Sequence, residues 1–245
     1  MSNPPLYGNL VPLDREQHKH LRLKTELSTL ERVENLNSLF LTAVEFADAC
    51  KEFPLVFVRV GDEPADGTPQ AIAPLAVLGL KPGSNLFVKD GQWTGNYMPA
   101  YLRRFPFAMA RISENEIAVC FDADWRGFST SEGTPLFEAD GQPSEFIMNA
   151  KTFLENFERE AERTRSVCEQ LAALDLLQDM RFEATLPDGE KIDVDGFLAV
   201  NEQKLAELPD DQVVQLHRSG LLALLEMHRV SMGNMGRLAQ LHRAA

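Results

Sequence analysis

The sequence predicts an α+β protein: a β-rich N-terminal half packed with a helical C-terminal half that contains one further β-hairpin. Three observations predict it. Short β-branched and aromatic runs punctuated by turn residues dominate residues 55–121. The stretch Ser144 to Leu177 carries a broad apolar stripe at helical spacing. Further helical segments follow a second turn-linked pair of strand-like runs, so strands and helices come in blocks and do not alternate.

Taken in order, Ser2 to Pro12 holds three prolines and a glycine and is expected to run as an extended arm with Tyr7, Leu10 and Val11 as anchors. Leu13 to Leu27 mixes charges with leucines and is open between short helix and strand. Asn37 to Lys51 reads as a helix, because Leu39, Ala43, Phe46, Ala47 and Cys50 recur at 3.6-like spacing before Pro54. Leu55 to Val60 is a strand closed by the Gly61 to Gly67 turn cluster, and Ile72 to Leu80 and Asn85 to Val88 are further short strands. Asp90-Gly91 is a hairpin turn of the kind that accepts positive φ; Phe107 to Ile112 and Ile117 to Phe121 pair around residues 113–116. The long helix from Ser144 is expected to break once, near Met148 to Ala150. Phe182 to Leu186 and Lys191 to Val200 form a hairpin turned by Pro187-Asp188-Gly189, a helix starts at Asn201, Asp210 caps the next, and Leu221 to Leu241 is a terminal helix. No Ser/Gly linker interrupts the chain, so residues 1–245 read as one domain with a soft division near residue 140.

Composition bounds the function. The 245 residues are 44% hydrophobic and 25% charged, the values of a globular protein. A net charge of -13 argues against nucleic acid or an anionic membrane as the main partner. No apolar stretch approaches the roughly 20 residues that span a bilayer, so no membrane insertion is expected. The first 24 residues carry six charged side chains where a signal peptide needs an apolar core, which points to the cytoplasm, or to the cell surface by a route without an N-terminal signal. Cys50, Cys120 and Cys168 lie too far apart in sequence for a zinc site and read as buried thiols.

No catalytic residues, cofactor or metal are assigned. His18-Lys19-His20 lacks further ligands nearby, and His217, His228 and His242 on one continuous helix would stand at least ~16 Å apart. Phosphate-binding, dinucleotide and nucleophile-elbow motifs are missing. The pairs Asp122/Asp124 and Asp193/Asp195 sit where period-2 alternation turns both members toward water. The densest segment is Trp93 to Phe107, with five aromatics and two adjacent arginines. Trp93, Tyr97, Tyr101, Arg103 and Arg104 are therefore the candidate ligand- or partner-binding residues: aromatic faces supply contact area and one arginine fork takes a carboxylate. The competing reading is a core crossover whose arginines pair with internal acids. Charge is also uneven. Residues 113–216 carry a net -16 and residues 217–245 a net +3, which suggests a basic terminal helix docked on an acidic body.

Several segments carry a family likeness in their order and spacing: Tyr7-Gly8-Asn9 with Val11-Pro12-Leu13, Phe53 to Phe57, Leu78-Gly79-Leu80, Asn85 to Val88, Tyr101 to Phe107, Gly196 to Val200, and Leu216 to Gly220 followed by His228. Across nearly its whole length the chain resembles the SapC family of bacterial proteins. That resemblance implies an association with bacterial surface layers and with flavin-dependent halogenase-like and cupin-like neighbours, but no catalytic residues to carry over. The membrane permease of the same name is a different protein. The expectation is thus a soluble, non-catalytic binding or accessory protein acting on a protein or peptide partner. Its rivals are an enzyme built on Trp93 to Arg104 and a surface-layer component.

Overall fold

The computed structural model describes residues 4–24, 29–113, 116–186 and 189–244. In chain order the strands are β1 (Leu10–Pro12), β2 (Arg22–Leu23), β3 (Ser38–Phe40), β4 (Leu55–Arg59), β5 (Ile72–Val77), β6 (Val88–Lys89), β7 (Gln92–Trp93), β8 (Phe107–Ser113), β9 (Glu116–Asp122), β10 (Phe128–Ser129), β11 (Thr134–Pro135), β12 (Leu177–Thr185) and β13 (Lys191–Val200). The helices are α1 (Phe46–Ala49), α2 (Ala100–Arg103), α3 (Glu145–Ala173), α4 (Glu202–Ala206), α5 (Asp210–Ser219), α6 (Leu221–Ser231) and α7 (Asn234–Ala244). The class is α+β. The chain forms two compact units, each from two segments: Met1–Val33 with Tyr101–Arg159, and Glu34–Ala100 with Glu160–Ala245.

The first unit holds an antiparallel sheet of order β1-β9-β8 and a smaller one of order β10-β2-β11. Phe121 pairs with Val11 on one side and Phe107 on the other. Alternation along β8 and β9 sends Phe107 and Phe121 inward, where they meet Tyr7, Phe105, Trp125, Leu136, Ile147 and Leu154 in one core. Phe105 and Phe128 each meet the Trp125 ring edge-on, at 5.7 and 5.4 Å. The arm is pinned by Asp122, a fully buried carboxylate that accepts the Gly8 and Asn9 amides at 3.1 and 3.0 Å and pairs with Arg32.

The second unit is organised by a five-stranded sheet, order β12-β13-β4-β5-β3. Its core gathers Phe46, Phe53, Leu55, Phe57, Leu78, Phe87 and Leu225. The β6–β7 hairpin turns through Asp90 and Gly91, with φ of 50° and 70°, which is why an Asp-Gly pair stands there. Gly79 is required by close approach, since a Cβ there would lie 1.8 Å from the Ser84 carbonyl oxygen.

Several expectations are corrected. Residues 38–40 are a strand, because Leu39 pairs with Ala76 and the Asn37 carbonyl accepts the Leu78 and Gly79 amides; only Phe46–Ala49 of the expected helix is α-helical. Helix α3 runs unbroken through Met148 to Ala150, having no Gly or Pro within it, and stops at Ala173, so that Leu177 already belongs to β12. The terminal helix is two helices. Gly233 weakens it there, and the Asn234 side chain donates to the Cys50 and Phe53 carbonyls at 2.9 and 3.2 Å, fixing a new start. Cys50 is only partly buried, unlike Cys120 and Cys168. The turns expected at residues 113–116 and 187–189, and the end of the 13–27 segment, lie partly outside the described residues.

Candidate functional site

Trp93 and Tyr97 belong to the second unit, where the segment after β7 is held by two buried glutamates. Glu52 accepts the Asn96 amide at 2.8 Å, and Trp93 Nε1 donates to the Tyr97 carbonyl at 3.0 Å. Glu45 accepts the Tyr97 hydroxyl at 2.8 Å and the Ala100 amide at 2.7 Å through Oε1. Its other oxygen accepts the Thr42 amide and hydroxyl, at 2.9 and 2.7 Å. The Trp93 ring packs near Phe87 and Phe53, at 5.8 and 6.1 Å. Both aromatics are half-buried and engaged in internal contacts.

Tyr101, Arg103 and Arg104 belong to the first unit. Tyr101 is buried and donates its hydroxyl to the Pro5 carbonyl at 3.0 Å; burial raises its phenol above the ordinary range, against the opposing charge of Arg104. Arg104 is buried with its guanidinium over Tyr101 at 4.2 Å, Phe157 at 4.5 Å and Tyr7 at 5.6 Å, and Nη1 reaches Glu158 at 3.5 Å. Its Nε atom makes no hydrogen bond to any described residue. Arg103, by contrast, is exposed and lies over the Phe153 ring at 5.3 Å. Arg103 closes the short helix α2 and Arg104 begins the turn that follows it, so the two neighbouring arginines enter different surroundings.

A larger opening was not foreseen from sequence. In the second unit a cleft of about 600 Å³ lies between β5, the loop before it and the second half of α3, lined by Phe40, Val60, Gln70 to Pro74, Ala161, Thr164, Cys168 and Ala172 among others. The register of β5 decides what it offers. Val60 donates its amide to the Ala71 carbonyl, so Ala71 bonds toward β4, and the intervening residues Ile72 and Pro74 turn their backbone groups the other way. Pro74 gives its carbonyl to the Leu41 amide at 3.1 Å, just beyond the end of β3. Ile72 lies further along, past the end of β3, so its amide and carbonyl face the cleft side of the sheet. The Cys168 thiol in the wall is pushed by burial up to about 12 and stays protonated at neutral pH. The short wall residues Ala161, Thr164 and Ala172 repeat along one face of α3, which was the available sequence signal for a recess.

The acid pairs fare differently. Asp193 and Asp195 are exposed as expected, and Asp193 pairs with Arg181. Asp122 corrects the expectation of a solvent-facing residue: it ends β9 where the chain bends, and its Oδ1 also accepts the Asp124 amide at 3.2 Å. Among the described residues no group of three or more His, Cys, Asp or Glu is placed to hold a metal ion. None of the described helices is long and apolar enough to cross a membrane.

A family model described as SapC matches residues 13–238. No curated protein and no solved structure matches the chain.

Proposed function

The chain belongs to the SapC family, and we propose that it works as a binding or accessory protein, without catalysis of its own, that captures an extended segment of a protein or peptide partner. The observation that supports this reading is the open edge of β5 at Ile72 beside the 600 Å³ cleft. An unpaired strand edge is a template for another chain, and folds usually blunt it with charge, proline or a cover. Here pairing with β3 ends while β5 continues, and Ile72 lies beside apolar walls of the cleft. A peptide added at this edge gains main-chain hydrogen bonds from the backbone of Ile72 and buries alternate side chains against Phe40 and the short residues of α3. Arg165 and Glu169 at the cleft offer charges of both signs for reading the partner's polar positions.

The test is a selection of random extended peptides on the whole chain, followed by direct titration of the enriched sequence. Capture by strand addition predicts a one-to-one complex, loss of binding in Ala172→Trp, loss on N-methylation of the central peptide amide, and slowed hydrogen exchange of the Ile72 amide. Enrichment of nothing above background, or binding indifferent to both N-methylation and Ala172→Trp, overturns it.

A further inference from the structure

A second cavity, of about 380 Å³, lies wholly within the first unit and carries a different chemistry from the strand-edge cleft. One wall is a stripe of α3: Phe146, Ala150 and Phe153, spaced four and three residues apart on one helix face and all only half-buried. The opposite wall is the Phe105-Pro106-Phe107 turn into β8. Half-exposed aromatics aligned on a concavity of this size are the ordinary composition of a small-ligand site. Its charge is what distinguishes it. In a chain of net charge -13, the only charged residues lining this cavity, among the described residues, are Arg103 and Arg104, and Glu158 stands beside Arg104.

The two arginines divide the work. Arg104 is enclosed by Tyr101, Phe157 and Tyr7 with Glu158 alongside, so its charge is fixed in the wall. Arg103 stays exposed, and its place over the Phe153 ring positions a planar fork of donors at the cavity's edge. Asn149 on the next turn of α3 adds a neutral polar group. A dianion would be left under-compensated between apolar walls, whereas a carboxylate matches one guanidinium in charge and in two-pronged geometry. We propose that this cavity binds a small aromatic carboxylate, with the ring between Phe146, Phe153 and the Phe105 to Phe107 turn and the carboxylate on Arg103.

Phenylacetate and its neutral counterpart phenylacetamide, titrated into the whole chain by calorimetry, test this. The expected result is saturable one-to-one binding of phenylacetate, at least about tenfold tighter than the amide and weakened by salt. Arg103→Ala should lower affinity about tenfold, and Arg103→Lys several-fold, with the melting temperature unchanged. Ala150→Trp, which fills the cavity, should abolish binding, and it decides the matter where Arg103→Ala is destabilised. Equal affinity for acid and amide, no saturation up to about 10 mM, or full affinity in Ala150→Trp overturns the proposal. The strand-edge reading stands or falls separately, because Ala172→Trp leaves this cavity untouched.

Discussion

The imidazole of His228 stands between two strands at the point where Leu55 faces Val200. Strands β4 and β13 are in register through Phe57 and Leu198, and continuing that register sets Leu55 opposite Val200. Instead of bonding directly, the Val200 amide donates to Nε2 at 3.1 Å, and Nδ1 lies 2.7 Å from the Leu55 carbonyl. An amide can only donate, so Nε2 is the bare nitrogen, and the proton sits on Nδ1 and is given to Leu55. Ser231 completes the clasp, accepting the Leu55 amide at 2.9 Å.

This relay works only with a neutral ring. Burial pushes His228 down to about 4, partly opposed by its bond to the Leu55 carbonyl. Because the folded value lies below the ordinary 6.5, the unfolded chain binds more protons between the two, and stability is lost as pH falls from about 6.5 toward 4. The loss attributable to this group is at most about 3 kcal/mol. Urea denaturation across that range should show the slope in the native chain and a flatter profile in His228→Gln.

Removing the helices that carry this clasp should unfold the second unit. Leu221, Leu225, Met235 and Leu238 are buried, and each such side chain contributes about 1.5 to 3 kcal/mol. A chain ending at Gly220 should therefore be insoluble or lack a cooperative transition. An unchanged melting temperature would show the two terminal helices to be dispensable.

Asp122→Ala should cost about 3 to 5 kcal/mol, because it strips the Gly8 and Asn9 amides of their acceptor and leaves Arg32 without its buried partner. Limited proteolysis should then cut within the arm ahead of β1. Asp122→Asn should fall between the two, since it keeps an acceptor oxygen but loses the charge.

Glu45→Ala should destabilise by about 3 kcal/mol or more, because it removes the acceptor of the Thr42 and Ala100 amides and of the Tyr97 hydroxyl. Tyr97→Phe removes only one bond to that carboxylate and should cost about 1.5 to 3 kcal/mol. Chemical denaturation measures both.

What could be read from sequence was what is decided locally. The Asp90-Gly91 turn and the body of α3 rest on neighbours within one turn or hairpin, and both lie where the spacing put them. The apolar spacing of residues 38–40 fits a helix as well as a strand, and the choice is made by Val77 and Ala76 on another strand. Asp122 looked solvent-facing by alternation, but its partners lie about 90 and 113 residues earlier. Glu45 did leave a trace, the Thr42-x-x-Glu45 spacing of a helix start. The aromatic segment from Trp93 stood out in composition, yet composition did not reveal that its members are shared between two units or that Arg104 is enclosed. The Ile72 edge was illegible, because it exists only where one strand outruns its neighbour.

The interleaving of the two units sets an order on the ribosome. Everything the first unit needs has been made once Arg159 has emerged, while Leu55 to Arg59, synthesised long before, still lacks β13 and His228. At ~5–20 residues per second that strand waits roughly ten to thirty seconds without its β13 neighbour and the His228 bridge. Translation pauses between residues 160 and 228 lengthen that exposure, so synonymous codon choice in this stretch bears on yield even though it leaves every contact in the finished molecule unchanged.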